Sequence, residues 1–245
     1  MGKIDLSGYF CGDNGVLICP LEGGEDIVSH NAHKCFMTAS VIKTFVLAYY
    51  LTYEKDFDRV IDIPTEKHIE FSTVTELGLT YASVKELLIF MMANSDNTAT
   101  NMLFEDAGFD ELNTFCRDVL QTECTVVGRK MLDYDAIKKG HDNLSCASDC
   151  LKAMKYVLSY PMGREIMGRY KSLNGIMKYV YDKNVEFYGK GGSIDGVLNE
   201  IGVIKNEDGK YMFVAVFTRD KAVDDAEFLM AKCGLVSLGK ERPVI

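Results

Sequence analysis

Three short stretches of this 245-residue chain carry side chains whose types and spacing suit nucleophilic chemistry. Ser40-Val41-Ile42-Lys43 sets a hydroxyl and an amine at i and i+3, positions that share one face of a helix. A serine hydroxyl is a weak nucleophile until a base takes its proton, and a lysine can be that base if burial and neighbouring charge lower its pKa. A helix start adds free backbone N–H groups that stabilise an oxyanion. Alone, the pair is a weak signal. Ser237 and Lys240 repeat it near the C-terminus, and an N-capping serine followed by a solvated lysine is the ordinary alternative.

The second stretch is Ser95-Asp96-Asn97, polar residues between two apolar runs. They suit a loop that faces a cleft, but taken alone they read first as a helix C-cap followed by an N-cap. The third is Lys190-Gly191-Gly192-Ser193 in "FYGKGGSIDG". A lysine among glycines suggests a phosphate loop, but no Gly-x-x-x-x-Gly-Lys-[Ser/Thr] can be laid on it. The dinucleotide pattern breaks at Ile194, and no helix follows.

The elements that must position these residues are legible. "GVLICP" and "DIVSHN" read as strands about the turn "LEGGE". "VIKTFVLAYYL" has no helix breakers and reads as a largely buried helix opened by Ser40. Ser83 with Glu86 forms a capping box ahead of Val84, Leu87, Leu88, Met91 and Met92, one face of a second helix. Further helices are expected over Thr98 to Ala107, Asp110 to Leu120, Ser145 to Leu158 and Pro161 to Tyr170. Strands return at "VEFYG", "EIGVIK" and "YMFVAVFT", the last two joined by the turn "NEDG", and a closing helix should run from Val223 to Leu235.

Strands at both ends and helices between predict an α/β (α+β) fold. Its antiparallel sheet is built from both chain ends, with flanking helices and an inserted all-helical lobe. The boundaries expected are 1–55 with 180–245 for the discontinuous α/β lobe and 56–179 for the helical one. A cleft between them is the natural place for a site.

Composition narrows the function. The net charge is -9 without a lysine or arginine block, which argues against a nucleic-acid partner. The longest apolar run, Thr44 to Tyr53, is half of a membrane span, and the N-terminus shows no signal-peptide pattern. A cytoplasmic protein without a membrane partner is therefore expected. Its eight cysteines form no CxxC pair, and Cys146 and Cys150 lack a histidine at ligand spacing; they are expected to be buried thiols, with no metal and no cofactor.

Ser-x-x-Lys, Ser-Asp-Asn and a lysine-glycine strand end, in this order, resemble the signature of serine β-lactamases and penicillin-binding enzymes. "HNAHKCFMTASVIKTFVLAYYL", "LTYASVKELLIFMMANSDNTATNMLFEDAG" and "YGKGGSIDGVLNEIGVI" look like segments of class A β-lactamase-type serine hydrolases, a likeness running from roughly Gly15 to Leu238. It implies Ser40 as the acylated nucleophile and Lys43 as its base or proton relay. Ser95 would pass a proton to the leaving nitrogen, Asn97 would bind Lys43 and the substrate amide, and Asp96 would anchor the loop. Lys190 would supply positive field to Ser95 and to a substrate carboxylate. Gly192 and Ser193 would bind substrate, the N–H groups of Ser40 and Ser193 forming the oxyanion hole.

Three departures qualify the likeness. The family strand motif is Lys-Thr-Gly or Lys-Ser-Gly, and Gly191 lacks the hydroxyl that holds the substrate carboxylate. One charge-assisted hydrogen bond lost weakens binding by about 1.5–3 kcal/mol. Class A enzymes also carry a glutamate that activates the deacylating water, in a loop before the Ser145 helix. The matching stretch, "VGRKMLDYDAIKKGHDNLSCASD", has none. Asp133 and Asp135 are its candidates for that base, with solvated loop charges as an equal alternative, and His141 reads as a surface residue. Finally, the shortened N-terminal segment leaves sheet surface that a partner chain, such as a second copy in a homo-oligomer, could cover.

The expectation is a serine hydrolase working through an acyl-enzyme on β-lactam or related amide and ester bonds, slow in deacylation. Alternatives are a non-catalytic β-lactam or peptide sensor, and a cytosolic peptidase or esterase using the same serine. In each case the partner is a small-molecule β-lactam, peptide or ester.

Overall fold

The structure is a computed structural model, and it describes residues 6, 8, 10 and 12–241. In chain order its elements are β1 (Asp13–Pro20), β2 (Val28–His30), β3 (Phe36–Met37), a 3-10 turn (Ala39–Ile42), α1 (Lys43–Tyr53) and β4 (Val60–Asp62). Next come α2 (Thr73–Glu76), β5 (Tyr81–Ser83), α3 (Val84–Ala93), α4 (Asn97–Ala107), α5 (Phe109–Asp118), α6 (Tyr134–Lys138) and β6 (Leu144–Ser145). The chain closes with α7 (Ala147–Ser159), α8 (Pro161–Met167), β7 (Glu186–Ile194), β8 (Val197–Lys205), β9 (Tyr211–Arg219) and α9 (Val223–Ser237).

The expected antiparallel sheet is present, in the order β2-β1-β9-β8-β7. β1 pairs along its whole length with β9, Asp13 opposite Arg219 and Pro20 opposite Met212, so the two ends of the chain share one sheet. Asp195-Gly196 joins β7 to β8 as a two-residue hairpin turn, with Gly196 at φ 72°, in the left-handed region that glycine enters freely. Lys205 faces Tyr211 across the expected second hairpin.

The sheet is apolar on both faces because helices cover both. Val16, Ile18, Val214 and Val216 face Leu229, Met230 and Cys233 of α9. Leu17, Phe213, Ala215 and Phe217 join the larger core with Phe45 and Val46 of α1, Leu88 of α3 and Met154 of α7. Alternation along β1 and β9 thus feeds two cores. The Ser83 capping box closes in both directions as expected, and Val84, Leu87, Leu88, Met91 and Met92 are its buried face. Among the described residues no helix is long and apolar enough to cross a membrane.

Several expectations need correction. The short strand pairs β3–β6 and β4–β5 escaped the sequence reading because two or three residues carry no periodicity. α8 stops at Met167, three residues before the expected Tyr170, which frees Tyr170 from the helix. The thiols are not uniformly buried: Cys35 is exposed and Cys124 half-buried, while Cys19, Cys116, Cys146, Cys150 and Cys233 are buried. The N-terminal shortening, and Cys11, lie outside the described residues.

One buried carboxylate organises the loop that precedes α6. Asp149, in the first turn of α7, accepts from Glu123 N (3.0 Å), Cys124 N (2.9 Å) and Thr125 Oγ1 (2.9 Å). Asp149→Ala would leave these donors buried without a partner. The expected loss is about 3 kcal/mol, seen as a lower denaturation midpoint at unchanged m-value.

Candidate active site

Ser40 sits in a 3-10 turn rather than opening the α-helix as expected, and α1 begins three residues later, at Lys43. Ala39, immediately before Ser40, has φ 46°, and Ser95 has φ 57°. Left-handed backbone is disfavoured by roughly 1–2 kcal/mol for a residue bearing Cβ. Held strain of this kind clusters at functional positions.

The loop after α3 is pinned from below. Asp96 is fully buried and accepts from Ser72 Oγ (2.9 Å), Val74 N (2.9 Å) and Ala99 N (2.8 Å). With Asp96 fixed, its neighbours point to the cleft. Lys43 Nζ donates to Ser95 O (2.7 Å), Ser95 Oγ (3.1 Å) and Asn97 Oδ1 (3.0 Å). From the sheet, Lys190 Nζ donates to the same Ser95 Oγ (2.9 Å) and to Gly191 O (2.7 Å).

Both lysines are buried, Lys43 at 0% and Lys190 at 1% exposure. Burial holds the Lys43 ammonium well below its ordinary pKa, and the charge of Lys190 adds to the effect. Burial also brings Lys190 down to about 7, partly offset by the Glu200 carboxylate.

β7 is the edge strand that brings Lys190 here, and it runs on through the glycines to Ile194 rather than ending at Lys190. A Cβ on Gly192 would fall 2.5 Å from Ser40 N and 2.7 Å from Thr38 O. Only glycine lets the strand lie this close to the nucleophile turn. Ser40, Ser95, Asn97, Lys190, Gly192 and Ser193 line one cleft of about 820 Å³. Ser237 stands apart, at the end of α9, donating to Gly234 O (2.7 Å).

The proposed deacylation bases do not reach this cleft. Asp133 caps α6, accepting from Ala136 N (2.9 Å), and Asp135 pairs with Lys138 at 3.0 Å on the surface. The same loop turns Arg129, Met131, Leu132 and Tyr134 into the cleft. Met131 is fixed there by Asn101, which accepts from its N–H (2.7 Å) and donates to its carbonyl (3.2 Å). His141 is exposed, as expected.

Sequence reasoning missed Met131, Asn101, Tyr170 and Glu200. Glu200 left a trace, a carboxylate inside the apolar run "VLNEIGVIK". The others lie in loops or on a helix face where spacing says nothing. Away from the cleft, Cys124, Cys146 and Asp149 bring ligand-type atoms within 4.8 Å of one another. Both Asp149 oxygens already hold the loop, so the group is an anchor rather than a metal centre.

The fold is shared with solved enzymes. A β-lactamase from Sphaerobacter thermophilus superposes with a TM-score of 0.81 at 23% identity, covering 96% of this chain and 97% of that one. The class A β-lactamase from Mycobacterium abscessus gives 0.82 at 21%, covering 96% and 95%. A PBP-A mutant in an acyl-enzyme complex with penicillin-G gives 0.79 at 19%, covering 91% and 88%. No curated protein sequence matches this chain. The model of the β-lactamase enzyme family matches residues 3–236, nearly the whole chain, and with its class A fold the chain belongs to that family.

Proposed function

We propose that the chain is a serine acyl-transfer hydrolase that forms an acyl-enzyme on Ser40 and releases it slowly. The observation that carries the reading is the pair of buried lysines that meet on Ser95 Oγ beside Ser40. Ser40 Oγ attacks the carbonyl carbon of an amide or ester, and its proton passes to the neutral Lys43 amine. The oxyanion is held by the backbone N–H groups of Ser40 and Ser193. When the C–N or C–O bond breaks, Ser95 hands its proton to the leaving atom and is reprotonated from the lysines around it. Asn97 orients Lys43 and an amide of the substrate.

Deacylation needs a base beside the acyl carbonyl. The loop that would supply it offers Met131, a thioether that takes no proton, while Asp133 and Asp135 face away and Asp142 is committed to Arg129. This supports an acyl-enzyme that accumulates.

Mixing the protein with a penicillin should give an adduct on Ser40 by intact-protein mass spectrometry, lasting over many minutes and absent from Ser40→Ala. An unmodified protein in both cases would favour a non-catalytic binder. Met131→Glu should shorten the adduct's lifetime by at least about tenfold, given the usual worth of a positioned general base. Lifetimes equal to wild type would locate the slow step elsewhere.

The pH dependence follows from the two lysines. Acylation requires Lys43 neutral, so the rate rises as pH passes its lowered pKa. It also requires the Lys190 ammonium, which is lost as pH rises through about 7. Acylation rates should therefore fall on the alkaline side with an apparent pKa near 7. Lys190→Arg, which keeps its charge, should remove that limb.

A further inference from the structure

Gly191 is enclosed in a way that its neighbours explain. A Cβ there would lie 2.3 Å from Tyr170 Oη and 3.2 Å from Tyr170 Cζ. The phenol therefore occupies the place beside β7 that a side chain at 191 would fill. Tyr170 reaches it because α8 ends early, and its ring lines the cleft with Ser40 and Lys190.

The polar groups at this wall are already engaged. Tyr170 Oη donates its proton to Glu200 Oε1 (2.9 Å) and stands directly against Gly191. Glu200 is 3% exposed and takes further bonds from Ser172 Oγ (2.9 Å) and Ile176 N, so it stands as a fixed acceptor behind the phenol. Lys190 commits two of its N–H groups to Ser95 Oγ and Gly191 O, and its Nζ lies 5.2 Å from the centre of the Tyr170 ring. Lys171, the other cation on this wall, is exposed and turns its ammonium to Gly168 O (3.5 Å).

Immediately beside Gly191, what faces the cleft is an aromatic edge, an oxygen without a free proton and a buried carboxylate, while Lys190 and Ser193 supply the donors further along the same wall. A substrate carboxylate placed there would meet acceptors where it needs donors, and the Glu200 carboxylate behind them offsets the attraction of the Lys190 ammonium. A neutral ester, or an amide that can donate an N–H, meets no such penalty. We infer that Tyr170, held by Glu200 in the space beside Gly191, makes the site select uncharged esters and amides over substrates bearing a carboxylate next to the scissile bond. The inference rests on the acyl-transfer reading of Ser40 and adds the substrate class to it.

The test compares the rates at which benzylpenicillin and its methyl ester acylate Ser40, followed by intact-protein mass spectrometry. The ester should react at least about tenfold faster, the worth of one ionic hydrogen bond missing from the acid. Tyr170→Phe keeps the ring, removes the acceptor oxygen beside Gly191 and should bring the ratio towards unity. The double variant Tyr170→Ala with Gly191→Thr puts a donor hydroxyl in the vacated space and should favour the acid. A free acid that reacts as fast as the ester, or a ratio unmoved by Tyr170→Phe, overturns the assignment. Failure of both compounds to label Ser40 overturns the acyl-transfer reading as well, and is distinguished by the absence of any adduct.

Discussion

Lys43 and Lys190 approach the Ser95 hydroxyl from opposite elements, at 3.1 and 2.9 Å, and both are closed off from solvent. Two ammonium groups in one dry place repel each other and lose their hydration, a cost that only a well-furnished set of acceptors offsets. The structure supplies them as Ser95 O, Asn97 Oδ1 and Gly191 O. Lowered pKa values are the other half of the same balance. A lysine that gives up its proton easily is no longer a buried charge, and it becomes a base.

Much of the surrounding architecture answers to that constraint. The left-handed backbone at Ser95 is tolerable because its loop is fixed from behind by the buried Asp96 carboxylate, and that at Ala39 opens the 3-10 turn that carries Ser40. The sheet contributes a glycine strand, since any side chain at 192 would strike the nucleophile turn. The long pairing of β1 with β9 sets the sheet that carries this edge strand.

The site also shows how one position is read through its neighbours. Gly191 by itself signals a missing hydroxyl. In the structure the vacancy is filled by Tyr170, and Tyr170 is held by a carboxylate from β8. Loss of one side chain and gain of another are a single steric exchange. Met131 makes a parallel point, an apolar residue held by Asn101 that faces the cleft while Asp133 and Asp135 of its loop face water.

The sequence alone determined the order of the longer elements, the antiparallel sheet built from both ends, the Ser83 capping box and the three motifs. These are local matters of periodicity, capping and turn chemistry, or patterns of a few adjacent residues. The tertiary structure alone decided which residues complete the site. Whether Asp133 or Met131 turns inward depends on Asn101, thirty residues from Met131 in the chain. Whether Tyr170 is helical or lines the cleft depends on where α8 stops and on Glu200, again thirty residues away. Such contacts follow from how distant segments pack, and no local pattern of residue types records them.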